Sequence, residues 1–214
     1  MQNGLLRLLI ADYHSVAREG LKDIIESTRE MTVIAEAQSE FELSDRLQST
    51  DVDAVVFEFA LAKGRALETL STLRRRYPHT PLLIFTTWPE HEYGIRALKA
   101  GAAGYLTKGS TPTDVIAAIK RVAAGRRYVT PALGELIAVE LTDPNGAPHH
   151  ALTEREYAIF KLYATGQSTG NIARELRISP KTVMTARARV LSKLHATTIA
   201  DLVHYAVRHN LLNS

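Results

Sequence analysis

The 214-residue sequence contains no cysteine. Disulfides and thiolate–metal sites are therefore excluded, and the composition fits a reducing compartment, so a cytoplasmic protein is expected. No apolar run approaches the roughly 20 residues that a helix needs to span a bilayer. The start, MQNGLLRLLIAD, lacks the basic region, long apolar core and small-residue cleavage site of a secretory signal. Neither membrane attachment nor export is expected. Internal repeats and low-complexity tracts are missing, as are a Ser-His-Asp set, a P-loop and a dinucleotide-binding loop. What remains, with 45% hydrophobic and 23% charged residues, is an ordinary globular composition. The length has room for one large domain or two small ones, each able to bury a core.

The formal charge of +3 is unevenly placed. From Ala151 onward nine Lys/Arg stand against four Asp/Glu, a balance of +5. Residues 1–150 hold the other 17 against 19, a balance of −2. A basic tail on a mildly acidic body points to a polyanion partner, although a solvated charged surface has the same composition.

Residues 1–125 alternate strand-like and helix-like segments. Apolar runs occur at 5–11, 32–37, 53–59, 81–87 and 102–106, with helical patterns between them and over 112–124. Five βα units predict an α/β doubly wound, five-stranded parallel sheet. Thr111-Pro112-Thr113-Asp114 supplies an N-cap, an N1 proline and an acidic N3 for the last helix. Residues 126–149 are read as a linker with a short helix, and the turn-rich TDPNGAPHH marks the domain boundary. Over 150–214 the period is helical. Thr153-x-x-Glu156, Ser168, Ser179-Pro180 and Thr198-x-x-Asp201 mark four helix starts, which predicts an all-α four-helix module.

The second and third of those helices are joined by LRIS, the spacing of a helix-turn-helix. In the third, Val183, Val190 and Leu194 form an inward stripe. Lys181, Met184, Thr185, Ala188 and Arg189 fall on the open side, and Arg187 beside the stripe is expected to bend its guanidinium outward. Small side chains flanked by cations let a helix enter the major groove while its ends meet phosphates. A helical protein-docking module is the plainer alternative.

In an open parallel sheet the ligand crevice lies at the carboxyl ends of the strands. Those ends carry Asp12, Glu58, Thr86 and Lys108. Carboxylates can hold Mg²⁺ or accept a phosphoryl group, and a hydroxyl and an amine can bind its oxygens. A lone acid such as Glu58 is costly to bury unless something pairs with it.

The stretch LTEREYAIFKLYATGQSTGNIARELRISPKTVMTARARVLSKL resembles the LuxR-type helix-turn-helix of the NarL/FixJ response regulators. LLIADYHSVAREGL, IFTTWPEHEYGIRALKAGAAGYLTK and GRRYVTPAL resemble phrases of their receiver domain, in the expected order. The resemblance implies a CheY-like, flavodoxin-like receiver over 1–125 and a LuxR-type DNA-binding domain over 150–214. It implies a recognition helix at 180–194, with Met184, Thr185 and Ala188 at base-reading positions. Lys181, Thr182, Arg189 and Lys193 take positions suited to backbone contacts, and Thr86, Tyr105 and Lys108 match the receiver's switch positions. Implied partners are double-stranded promoter DNA, a second copy of the chain, and a sensor kinase or other protein as input.

The match fails at the chemical centre. Glu58 replaces the phospho-accepting Asp, Tyr13 replaces the second acid of a pair and leaves Asp12 alone, and Ala62 replaces a loop proline. Misplacement by about 1 Å costs roughly a hundredfold where reacting atoms must align. Loss of a carboxylate weakens Mg²⁺ as well. The Mg²⁺ site is read as lost, no cofactor is expected, and the protein is not expected to be an enzyme. Glu58 is either a permanent stand-in for the phosphoryl group or a structural partner of Lys108 in an inert receiver. An ordinary receiver that is still phosphorylated is the alternative, and a phosphoryl-transfer enzyme a more distant one. Of the remaining residues, His14 is assigned to packing or capping, His149-His150 to a solvated loop, and Trp88 to a loop suited to a partner.

Overall fold

The computed structural model describes residues 4–62, 64–142, 148–209 and 211–212. Most of the predicted boundary turn, residues 143–147, lies outside them. The chain divides into two compact units, Met1–Ile137 and Ala138–Ser214.

In the first unit strands and helices alternate: β1 (Leu6–Ala11), α1 (Ser15–Glu26), β2 (Met31–Ala37), α2 (Glu40–Ser49), β3 (Ala54–Phe57), α3 (Ala66–Arg76), β4 (Leu82–Thr86), α4 (Glu90–Ala100), β5 (Gly104–Thr107) and α5 (Pro112–Ala123). The strands pair in parallel in the order β2-β1-β3-β4-β5. Side chains on a strand alternate between faces, so each buried strand supplies both layers of core. Leu9, Val55, Phe57, Leu82 and Ile84 pack with Leu43 of α2, Leu70 of α3 and Ile95 of α4. Leu8, Ile10, Val56 and Leu83 pack on the other face with Leu21 and Ile25 of α1 and Val115 and Ile119 of α5. Thr111 and Asp114 form a reciprocal capping box at the start of α5, ahead of Pro112.

Two expectations need correction here. The third strand, predicted over 53–59, stops at Phe57, and Phe59–Ala62 form a 3-10 turn that reverses the chain just past Glu58. The short helix placed in a linker is the 12-residue α6 (Pro131–Thr142), and its first turns dock. Leu133 is fully buried with Leu136 and Ile137 against the α2–α4 side of the sheet. A Cβ on Gly94 of α4 would come within 2.7 Å of Leu133 Cδ1, so the glycine admits this close approach. The first unit therefore continues past residue 125.

The second unit contains α7 (Glu154–Ala164), α8 (Thr169–Glu175), α9 (Pro180–Lys193) and α10 (Ile199–Arg208). Every start carries the expected cap: boxes at Thr153–Glu156 and Thr198–Asp201, and Ser168 and Ser179 accepting from the Asn171 and Thr182 amides. The Thr197 and Thr198 amides and hydroxyls hold the Asp201 carboxyl well below the usual carboxylate range. Tyr157, Phe160, Ile172, Val183, Val190 and Leu202 are buried as the core. His149 is not in a solvated loop. It lies buried in a 3-10 turn over Pro148–Ala151, with Nδ1 2.8 Å from the Tyr205 hydroxyl.

Candidate functional site

The backbone just beyond β1, β3 and β5 continues the ladder. Asp12 N donates to Ala37 O at 3.0 Å, Glu58 N to Ala11 O at 2.8 Å and Lys108 N to Thr86 O at 2.8 Å. These bonds fix where the following side chains point, and four of them converge. Lys108 Nζ lies 2.7 Å from Glu58 Oε2 and 2.5 Å from Asp12 Oδ2. The Thr86 hydroxyl donates to Glu58 Oε1 at 2.5 Å, and the Ala60 amide donates to the same oxygen at 3.1 Å. Glu58 is 2% exposed and Asp12 4%.

Two buried carboxylates thus share one ammonium. Burial works to lower the Lys108 pKa, but hydrogen bonds to Asp12 and Glu58 and their charges outweigh it and hold the amine above the usual lysine range. The acid–hydroxyl contact extends inward. Trp88 N donates to Thr86 Oγ1 at 3.3 Å, and the Tyr105 hydroxyl donates to Trp88 O at 3.0 Å. Phe59 sits edge-on to both rings, 5.5 Å from Trp88 and 5.9 Å from Tyr105. Burial first, then nearby negative groups including Glu58, push the Tyr105 phenol above its ordinary range.

This donor set does not fit Mg²⁺. The ion needs near-octahedral oxygen ligands, yet both acids are already engaged by Lys108. Tyr13, where a second acid is needed, turns to the surface at 47% exposure.

On α9, Lys181, Thr182, Met184, Thr185, Ala188 and Arg189 are exposed, and Val183 and Val190 are buried behind them. Ser179 and Pro180 aim the helix start, leaving Lys181 and Thr182 in the first turn. Two expected contacts go elsewhere. Lys193 Nζ lies 2.6 Å from Glu156 Oε2 and donates to Ala151 O at 3.1 Å, so its charge is consumed inside the domain. Desolvation raises the Glu156 carboxyl pKa, but Lys193 and the Thr153 amide overcome it and hold the group below the usual range. Arg187 does not bend outward. Its guanidinium lies over the Tyr163 ring, 5.8 Å from the centroid.

Residues 8–120 match the response regulator receiver domain, and residues 150–206 match the bacterial regulatory proteins of the luxR family. The response regulator UvrY of Escherichia coli K12 is 30% identical over 212 residues, covering 98% of this chain and 97% of UvrY. The response regulator GacA of Pseudomonas viridiflava is 31% identical over 212 residues, covering 98% of this chain and 99% of GacA. The chain belongs to the LuxR-family response regulators. As such it is a regulator rather than an enzyme. A LuxR-family two-component response regulator from Aurantimonas sp. SI85-9A1 is 31% identical, with a TM-score of 0.60 over 65% of this chain and all of that one. RcsB of Salmonella typhimurium, 19% identical, shares the fold at a TM-score of 0.61 over 96% of this chain and 99% of RcsB.

Sequence reading missed one contributor to this response regulator's acid site. Arg18 of α1 donates from its guanidinium to Asp12 O at 2.7 Å and pairs with Glu36 of β2 at 3.0 Å. It ties the Asp12 turn to two elements. Its position on the polar side of α1 resembles any solvated arginine, and only the fold brings Glu36 near.

Proposed function

We propose that this LuxR-family response regulator is a cytoplasmic transcription regulator that binds double-stranded promoter DNA as a homodimer. Residues 1–125 with the docked first turns of α6 act as input, the chain from there to 149 as connection and 150–214 as the DNA-binding output. The exposed face of α9, with Lys181, Thr182, Met184, Thr185, Ala188 and Arg189, enters the major groove. The receiver works without Asp phosphorylation: Glu58 supplies permanently the charge that a phosphoryl group brings to relatives.

The supporting observation is the engagement of both Glu58 oxygens, one by Lys108 and the other by Thr86 and Ala60. A carboxylate so held is a poor nucleophile, and its charge already rests on the two switch-position side chains that bind phosphoryl oxygens. Thr86 and Tyr105 are joined through Trp88, so a charge at Glu58 acts on one end of a hydrogen-bonded chain that reaches Tyr105.

Incubation with a small phosphodonor and Mg²⁺, followed by intact mass spectrometry and promoter titration, tests this. No phosphoryl adduct and undiminished DNA binding are expected of the wild type. Glu58→Ala is expected to lose at least tenfold in DNA affinity, together with dimerisation. An adduct on Glu58 that raises DNA affinity overturns the reading. So does a Glu58→Ala variant with unchanged affinity and dimerisation, which would leave only a structural ion pair.

A further inference from the structure

Beside the closed acid site a cavity of about 570 Å³ opens among Tyr13, Gln38, Ser39, Phe41, Ala60 and Leu61. Its walls come from the segments after β1, β2 and β3. The sheet order reverses there, since the chain steps from β1 outward to β2 and then crosses to β3 on the other side. In doubly wound sheets this carboxyl-edge switch point is where ligands bind. The cavity is within the range of small-molecule sites, roughly 300–1,000 Å³.

Two rings stand open in it. Phe41 is 82% exposed, and Tyr13 is also open to solvent. One exposed apolar side chain is ordinary; two on the walls of one cavity at the ligand edge of the fold are not. Both stand on fixed backbone. The Tyr13 ring lies 3.7 Å from that of His14, whose amide donates to Asp12 Oδ1 at 2.8 Å. Phe41 occupies the first turn of α2, fixed by the Ser39 cap and by Gln38 N donating to Glu42 Oε2 at 3.1 Å. The opposite wall is pinned where Ala60 N meets Glu58. Backbone fixed in this way reduces the ordering that binding would otherwise require.

The lining also states what does not bind. Among the described residues it contains no Lys or Arg, and its one acid, Glu40, accepts from Thr69 and lies 3.7 Å from Arg65. A phosphate or other anion finds no counter-charge among the described lining residues. The geometry points to a neutral, planar aromatic molecule, packed against Tyr13 and Phe41, as the ligand of this cavity. Tyr13 adjoins Asp12, and Ala60 is bonded to Glu58, so occupancy presses on the neighbours of both buried acids. The inference is independent of the proposed role of Glu58, because binding requires only the cavity.

Titration of the full-length chain with Nile red, a neutral planar dye that brightens in apolar surroundings, reads the site directly. One saturable site per chain is expected. Phe41→Ser and Tyr13→Ser should each weaken it at least tenfold. Phe41→Tyr and Val16→Ser should stay within twofold, Val16 being exposed but no part of the lining. Circular dichroism melts confirm folding; both rings lie outside the two cores, so little change is expected. Absence of saturable binding overturns the proposal. So does binding within twofold of wild type in either serine variant of the rings, or a loss in Val16→Ser as large as theirs.

Discussion

Glu58, Asp12 and Lys108 are best understood as one buried unit whose members differ in what their loss leaves behind. Removing Lys108 strands two carboxylates away from water, and breaking a buried pair this way costs about 3–5 kcal/mol. Changing Glu58 to Gln preserves the shape and the Thr86 contact and leaves Asp12 the ammonium, which must turn from the amide NH2 now facing it; the charge-assisted bond lost is worth about 1.5–3 kcal/mol. Lys108→Met is therefore expected to lower urea stability at pH 7 by more than Glu58→Gln does. The alkaline limb gives a second sign. A pKa raised in the folded state contributes stability in full below the ordinary value of 10.5, and that contribution is lost as pH rises through the higher folded value. Wild type should lose more stability above about pH 10.5 than Lys108→Met does, the raised Tyr105 phenol weakening both alike. Equal urea midpoints for the two variants would show that the ammonium is not shared.

At the scale of elements, α6 and α7 carry the sharpest expectations. Leu133 anchors α6 in a site with no room to collapse around Gly94, so Leu133→Ala should destabilise the first unit by about 2–5 kcal/mol in chemical denaturation. A helix that is only linker would tolerate the change within about 0.5 kcal/mol, as exposed positions do. At the start of α7, Glu156 closes the capping box and holds Lys193. Its pKa is lowered by folding, so its contribution is present above the ordinary 4.5 and is lost as pH falls through the folded value. Glu156→Gln should flatten the acid-unfolding limb of the second unit below about pH 4.5, as followed by the tyrosines of that unit. These elements also show what is legible in a sequence. Continuous apolar runs and cap residues are local, and β1, α5 and the starts of α7 to α10 follow from them. The inward turn of Lys193 depends on Glu156, 37 residues away, and the docking of α6 depends on a glycine in α4. Within the acid site, residue types at strand ends announce the convergence, but the sharing of Lys108 and the hold of Ala60 on Glu58 are tertiary facts. Tyr13 and Phe41 are 28 positions apart and share a cavity only because β1 and β2 are neighbours.

For the whole molecule, charge and symmetry meet in one measurable slope. The chain is a mildly acidic body with a basic tail, and on the proposed reading the DNA contacts reside in the tail, where counterion release governs them. Each phosphate neutralised adds about 0.9 to the magnitude of the slope of log K against log salt. Lys181 is exposed in the first turn of α9 and has no ion-pair partner among the described residues; Lys193 is held by Glu156. Lys181→Ala in a single recognition domain should therefore lower the slope by about 0.9, and in a twofold dimer by about 1.8, because the same side chain is lost twice. Lys193→Ala should leave the slope unchanged while lowering the stability of the second unit. Fluorescence anisotropy on one promoter fragment between low and moderate salt separates these outcomes. A fall near 0.9 for Lys181→Ala would mean that one recognition helix suffices. A fall for Lys193→Ala would mean that its bond to Glu156 opens on DNA, and the ammonium would then belong with the phosphate contacts after all.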